Sequence, residues 1–163
     1  PAKIALQEVR LYLKKALSIS LVNPVVIKLG QPKTWAWKLR ITSGFTHIGN
    51  YCCEQMGENS AHMITIVPGL ERTKFKSVLC HELTHAFQAE HEMLRNFKGY
   101  KEGMARWVEY HFLLDNQNQT EAQKISGFGL VLLGNMLNKI LIYEKEHGRA
   151  ATCRWLASMD KDR

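Results

Sequence analysis

The sequence predicts an α+β domain, and three observations carry that prediction. An amphipathic helical pattern opens the chain. Short β-friendly runs, punctuated by Gly and Pro, follow as far as residue 67. Beyond Thr73 the apolar periodicity is helical throughout. The 163 residues suffice for one domain with a real core. Hydrophobic content of 45% and charged content of 23% are ordinary for a globular protein. With no repeat and no low-complexity linker, a single domain over residues 1–163 is expected. The opening PAKIALQEVRLYLKK has neither an initiator Met nor a signal core, which is expected of a processed product or a domain excised from a longer protein.

The elements follow in order. Leu6, Val9, Leu13, Ala16 and Leu17 recur at helical spacing over residues 2–17, with charges opposite. Asn23-Pro24 breaks that helix. Val25–Leu29 is expected as a strand, ended by the turn Gly30-Gln31-Pro32. Trp35–Ile41 alternates as a second strand, and Thr42-Ser43-Gly44 turns the chain into a third, Phe45–Tyr51. A polar loop, Glu54–Ser60, leads to the strand His62–Val67, stopped by Pro68-Gly69. Thr73 is expected to cap a helix running to about Glu90. A second helix spans Gly99–Leu114, and the polar loop Asp115–Thr120 follows it. A third helix runs from about Glu121 to His147, bent near Gly127 and Gly129. Gly148 ends it, and a short last helix holds Trp155 and Leu156.

No apolar run reaches the roughly 18–20 residues that a membrane-spanning helix needs. Cys52, Cys53, Cys80 and Cys153 form no Cys-x-x-Cys pair, so reduced thiols in a cytoplasmic setting are expected. The net charge of +7 is uneven. Residues 1–40 carry eight Lys/Arg against Glu8 alone, while fourteen of each sign share the rest. That basic third is expected to be either a solvated face or the contact for an anionic partner.

The chemistry concentrates in VLCHELTHAFQAEH, residues 78–91. Four residues of helix turn about 400°, so His81 and His85 lie roughly 40° apart on one face. Their imidazoles can share one metal ion. Glu82, beside His81, is placed to take a proton from a metal-bound water. Val78, Leu79, Leu83, Ala86 and Phe87 make the helix largely buried, and a buried helix with two His and a Glu needs partners for them.

His91 stands at the spacing of the third histidine in the metzincin pattern, but Gln88 occupies the position of that pattern's glycine. A continuing helix carries His91 about 240° round from His85, off the metal face. It is expected as a solvent-facing or loop residue. The third ligand is expected instead in Gly99–Tyr110. Glu102 falls in the first turn of the next helix, where a carboxylate is favoured, and Gly103 beside it permits close approach to the first helix. Glu109, two turns on, is expected either to support a ligand imidazole or to be an exposed charge. A His-His-Glu set leaves a fourth position open.

These residues resemble the gluzincin metallopeptidases. Glu102-Gly103-Met104-Ala105-Arg106-Trp107-Val108-Glu109-Tyr110 looks like the glutamate-bearing helix of thermolysin-like aminopeptidases, with Arg106 where those enzymes often have Asp. The stretch Ile64–Gln88, ITIVPGLERTKFKSVLCHELTHAFQ, is similar to the peptidase domain of the plant LIM-domain, ubiquitin-activated growth-regulating peptidases. Lys98-Gly99-Tyr100 and the sixteen residues between His85 and Glu102 also fit, so the resemblance spans roughly residues 45–115. It implies a zincin-like minimal metallopeptidase domain, with a small N-terminal sheet, an active-site helix and a C-terminal helical part. It implies one zinc ion on His81, His85 and Glu102, with Glu82 as general base in peptide-bond hydrolysis. The strand His62–Val67 would be the edge that pairs with an extended protein or peptide substrate. An oxyanion donor is expected among Tyr100, Tyr110, His111 and Tyr143, between which the sequence does not choose. Two rival expectations are a SprT-like protease acting on DNA-bound proteins, which would use a third His, and a non-catalytic zinc-binding interaction domain.

Overall fold

The computed structural model describes residues 1–31, 48–56, 59–128 and 134–159. Helix α1, Ala2–Leu17, buries Ala5, Val9, Leu13 and Leu17, an i, i+4 stripe facing the core. Leu6 and Ala16 only flank it. Ser18 ends the helix in the left-handed conformation at φ 56°. The Arg10 guanidinium then holds the exiting chain through Leu21 O at 2.8 Å. Strand β1 is Val25–Leu29, β2 is Gly49–Met56 and β3 is Asn59–Ile66. The expected strand Trp35–Ile41, its following turn and most of Phe45–Tyr51 lie outside the described residues.

Two sheet expectations need correction. The polar loop Glu54–Ser60 is mostly strand: β2 and β3 pair antiparallel as far as Met56 opposite Asn59. The strand expected as a substrate edge, His62–Val67, is instead central. The order is β1-β3-β2, with β1 parallel to β3, so among the described residues the outer strands are β1 and β2. Ile64 and Ile66, buried in β3, form the floor on which the helices pack.

Helix α2, Arg72–Glu90, is the spine of the molecule. Its cap is Glu71 and not Thr73: the Glu71 carboxylate accepts from Thr73 N at 2.9 Å and Lys74 N at 3.1 Å. Val78, Leu79, Cys80, Leu83 and Ala86 are buried between the sheet and helix α3, Lys98–Asp115. The reversal between these helices is made by Glu92 and Leu94, at φ 51° and 56°, and not by Gly99. Leu94 is fully buried, and that burial offsets the left-handed strain.

Gly99 and Gly103 sit within α3 and face helix α5, Gly134–His147, rather than α2. A Cβ on Gly103 would stand 2.9 Å from Met136 Cβ. Of the helix expected from Glu121 to His147, two parts are described, α4 (Gln119–Phe128) and α5, and the stretch between them lies outside the described residues. Helix α6, Arg149–Ser158, follows Gly148 at φ 81°. No helix among the described residues is long and apolar enough to cross a membrane. Of the basic N-terminal residues, Lys3, Lys14, Lys15 and Lys28 are exposed.

One buried polar network ties the end of α2 to the sheet. Glu90 accepts from Val22 N at 2.9 Å, from Asn23 N at 2.6 Å and from His62 Nε2 at 2.8 Å. The Tyr51 hydroxyl lies 3.1 Å from His62 Nδ1 and can donate to it. Desolvation pushes the Glu90 carboxyl up, but the two backbone N–H groups and His62 hold it below the usual carboxylate value. A lowered folded pKa adds stability above the unfolded value of about 4.3, and that stability is lost as pH falls through the folded value. Glu90→Ala is therefore expected to cost about 1.5–3 kcal/mol at neutral pH. The gap to wild type should narrow below pH of about 4. Urea melts across the acid range measure it, and a gap that is constant with pH would contradict the assignment.

Candidate metal centre

Residues on α2 and α3 build the site. His81 and His85, one turn apart on α2, turn their rings toward α3 at a centroid separation of 4.9 Å. Their Nε2 atoms lie 3.2 Å apart. Glu102, in the second turn of α3, places Oε1 3.6 Å from His81 Nε2 and Oε2 3.4 Å from His85 Nε2. The three side chains offer ligand atoms within 4.8 Å of one another, a group that could hold a metal ion.

The size of this triangle is informative. A tetrahedral ion with bonds of about 2.0–2.1 Å separates its ligand atoms by about 3.3–3.4 Å. The two Nε2 atoms, 3.2 Å apart, are at about that span, and the Glu102 carboxylate meets them through different oxygens, Oε1 3.6 Å from His81 Nε2 and Oε2 3.4 Å from His85 Nε2. Two imidazole nitrogens and a carboxylate are a borderline donor set, suited to a divalent transition metal rather than to calcium or magnesium.

Charges around the triangle are paired. Burial disfavours the Glu102 carboxylate, but His81, His85 and the Arg106 guanidinium hold its carboxyl well below the usual range. Arg106 Nε donates to Glu102 Oε1 at 3.0 Å, which fixes the orientation of that carboxylate. Glu109 is buried, not exposed. Its Oε1 accepts from Ser77 Oγ at 2.6 Å, and Lys74 Nζ lies 3.6 Å away. Its Oε2 is 3.3 Å from His81 Nδ1 but off the hydrogen-bond line, and that buried nitrogen has no aligned partner among the described residues. Burial lowers the His81 pKa, but Glu102 and Glu109 together raise it well above the ordinary value. Desolvation likewise raises Glu82, against the pull of His81 and His85.

Glu82 lies beside the triangle and is 7% exposed. Gly49, at the start of β2, leaves it room: a Cβ there would stand 2.7 Å from Glu82 Oε1 and 2.6 Å from Val78 Cγ1. His91 is exposed past the end of α2, with its ring 4.4 Å from that of Phe87, and is not part of the group. Of the expected oxyanion donors, His111 accepts from Arg149 through Nδ1 and donates to Glu144 through Nε2. Tyr100 and Tyr143 pack against Trp155, and Tyr110 against His111. None of the four makes a hydrogen bond, ion pair or ring contact with the triangle among the described residues.

Three supporting residues went unread in the sequence. Arg106 was legible as an i, i+4 partner of Glu102. Gly49 had no local signal, because its neighbour is 33 positions away in sequence. Gln88 did carry a signal, as an amide one turn from His85 on a buried helix. It is fully buried, 2.9 Å from His85 Nδ1. No protein-family model, curated protein or solved structure matches the chain.

Proposed function

We propose that this chain is a zinc-dependent metallopeptidase of the gluzincin type, in which His81, His85 and Glu102 hold one zinc ion and Glu82 is the general base. The observation that carries the proposal is the convergence of two imidazoles and a carboxylate, with ligand atoms within 4.8 Å of one another and the buried carboxylate of Glu82 next to His81 in sequence. The helix arrangement supports the finer description as a zincin-like domain: an active-site helix lies on a small sheet, and an adjacent helix supplies the last ligand. Zinc bound there would supply Lewis acidity toward a peptide carbonyl and a water molecule.

The chain's own residues do the remaining work. Glu82 takes a proton from the attacking water and returns it to the leaving amine. Arg106 holds Glu102 in one orientation, and Glu109 Oε2 lies 3.3 Å from His81 Nδ1, the ring nitrogen that does not face Glu102. A SprT-like reading needs a third histidine at the metal, and the group here is completed by Glu102. The test is cleavage of a denatured protein or peptide library, before chelation, after chelation and after zinc is restored. Activity lost and regained supports the proposal; no cleavage by fully zinc-loaded protein favours a non-catalytic zinc domain.

Gly49 gives a local check. Gly49→Val places a branched side chain where Glu82 Oε1 and Val78 Cγ1 now sit, so it is expected to displace the base and lower turnover at least tenfold, while zinc binding persists. Parallel zinc titration and peptide kinetics measure both; unchanged turnover would remove Gly49 from the account.

A further inference from the structure

We infer that Gln88 is a positioning residue that sets the tautomer of His85 and gauges the two ligand-bearing helices against each other. The inference uses the metal-site reading only for the purpose that His85 Nε2 serves. The Gln88 side-chain amide spans from α2 to α3, with Nε2 2.9 Å from Lys101 O and Oε1 2.9 Å from His85 Nδ1. A backbone carbonyl can only accept, so Lys101 O fixes which end of the amide is NH2. The opposite end is then the carbonyl oxygen, which also only accepts, so His85 Nδ1 must carry a proton. In the neutral ring Nε2 is then the bare nitrogen, and Nε2 is the atom that faces His81 and Glu102.

Burial makes this strict, because Gln88 is 0% exposed and no solvent can substitute for either bond. Lys101 is the residue before Glu102, so the same amide that orients His85 also fixes the backbone next to the third ligand. The glycine of the metzincin pattern would supply neither bond. Gln88 thus suits a site completed from the next helix.

The test reads nitrogen-15 resonances of histidine-labelled protein stripped of metal by chelation, followed by zinc titration. Wild type should show His85 protonated at Nδ1. Gln88→Met, close in volume and without either bond, should lose that signature and weaken zinc binding about 10–100-fold. Gln88→Glu, which restores an acceptor to His85, should recover the Nδ1 proton. A wild-type His85 protonated at Nε2 alone would overturn the inference, as would a Gln88→Met protein with unchanged tautomer and zinc affinity. The tautomer is read without zinc, which separates the two claims. Protein that shows the Gln88-dependent proton yet takes up no zinc sustains the positioning role and rejects the metal reading.

Discussion

Glu82→Gln is expected to cut peptide hydrolysis by about 10²–10⁴-fold, the usual contribution of a positioned general base. Zinc should remain bound. The amide keeps the shape of the carboxylate but cannot accept the proton of the attacking water. Glu82 is not one of the three residues that converge between α2 and α3 as a group that could hold a metal ion, so the substitution leaves that group intact. A carboxylate charge buried to 7% exposure is costly to fold, and the variant should be at least as stable as wild type. Single-turnover kinetics, zinc content and a thermal melt on one preparation test all three parts. Hydrolysis retained at wild-type rate would reject the base assignment, whatever the zinc content.

The second large effect falls on Glu102. Glu102→Ala removes one of the three residues of the group, the carboxylate that Arg106 Nε contacts at 3.0 Å. A dication would then meet two ligands in place of three. Zinc affinity should fall by more than the roughly 10–100-fold typical of a supporting residue. His91→Ala should bind zinc as wild type does, because that ring is exposed and packs on Phe87. Titration against a competing chromophoric chelator separates the variants. Zinc retained by Glu102→Ala and lost by His91→Ala would reverse the ligand assignment.

The legible parts of this protein are those governed by local geometry. The i, i+4 spacing of His81 and His85 places both rings on one face without any tertiary information. The apolar stripes of α1, α2 and α3 likewise follow from helical periodicity. Glu102 was reachable because a carboxylate early in the next helix needs only one reversal of the chain. What stayed hidden depends on contacts distant in sequence. The central position of β3 follows from its parallel pairing with β1, 37 residues earlier at Val25 and His62, which no run of β-friendly residues encodes. The reversal between the ligand helices uses Glu92 and Leu94 in left-handed conformations, where chain composition points to Gly99. Glu71 caps α2 although Thr and Asp are commoner caps, because its longer carboxylate reaches two backbone N–H groups. Gln88 is the instructive case. As a missing glycine it argues against His91 as a ligand; as a buried amide it lies 2.9 Å from His85 Nδ1.

The measurement that tests the central claim most directly is a crystal structure of the zinc-reconstituted protein, with anomalous diffraction recorded across the zinc edge. One zinc peak is expected between α2 and α3, about 2.0–2.2 Å from His81 Nε2, His85 Nε2 and a Glu102 carboxylate oxygen. A peak bound by His91 in place of Glu102, or no peak at this site in zinc-saturated crystals, would contradict it.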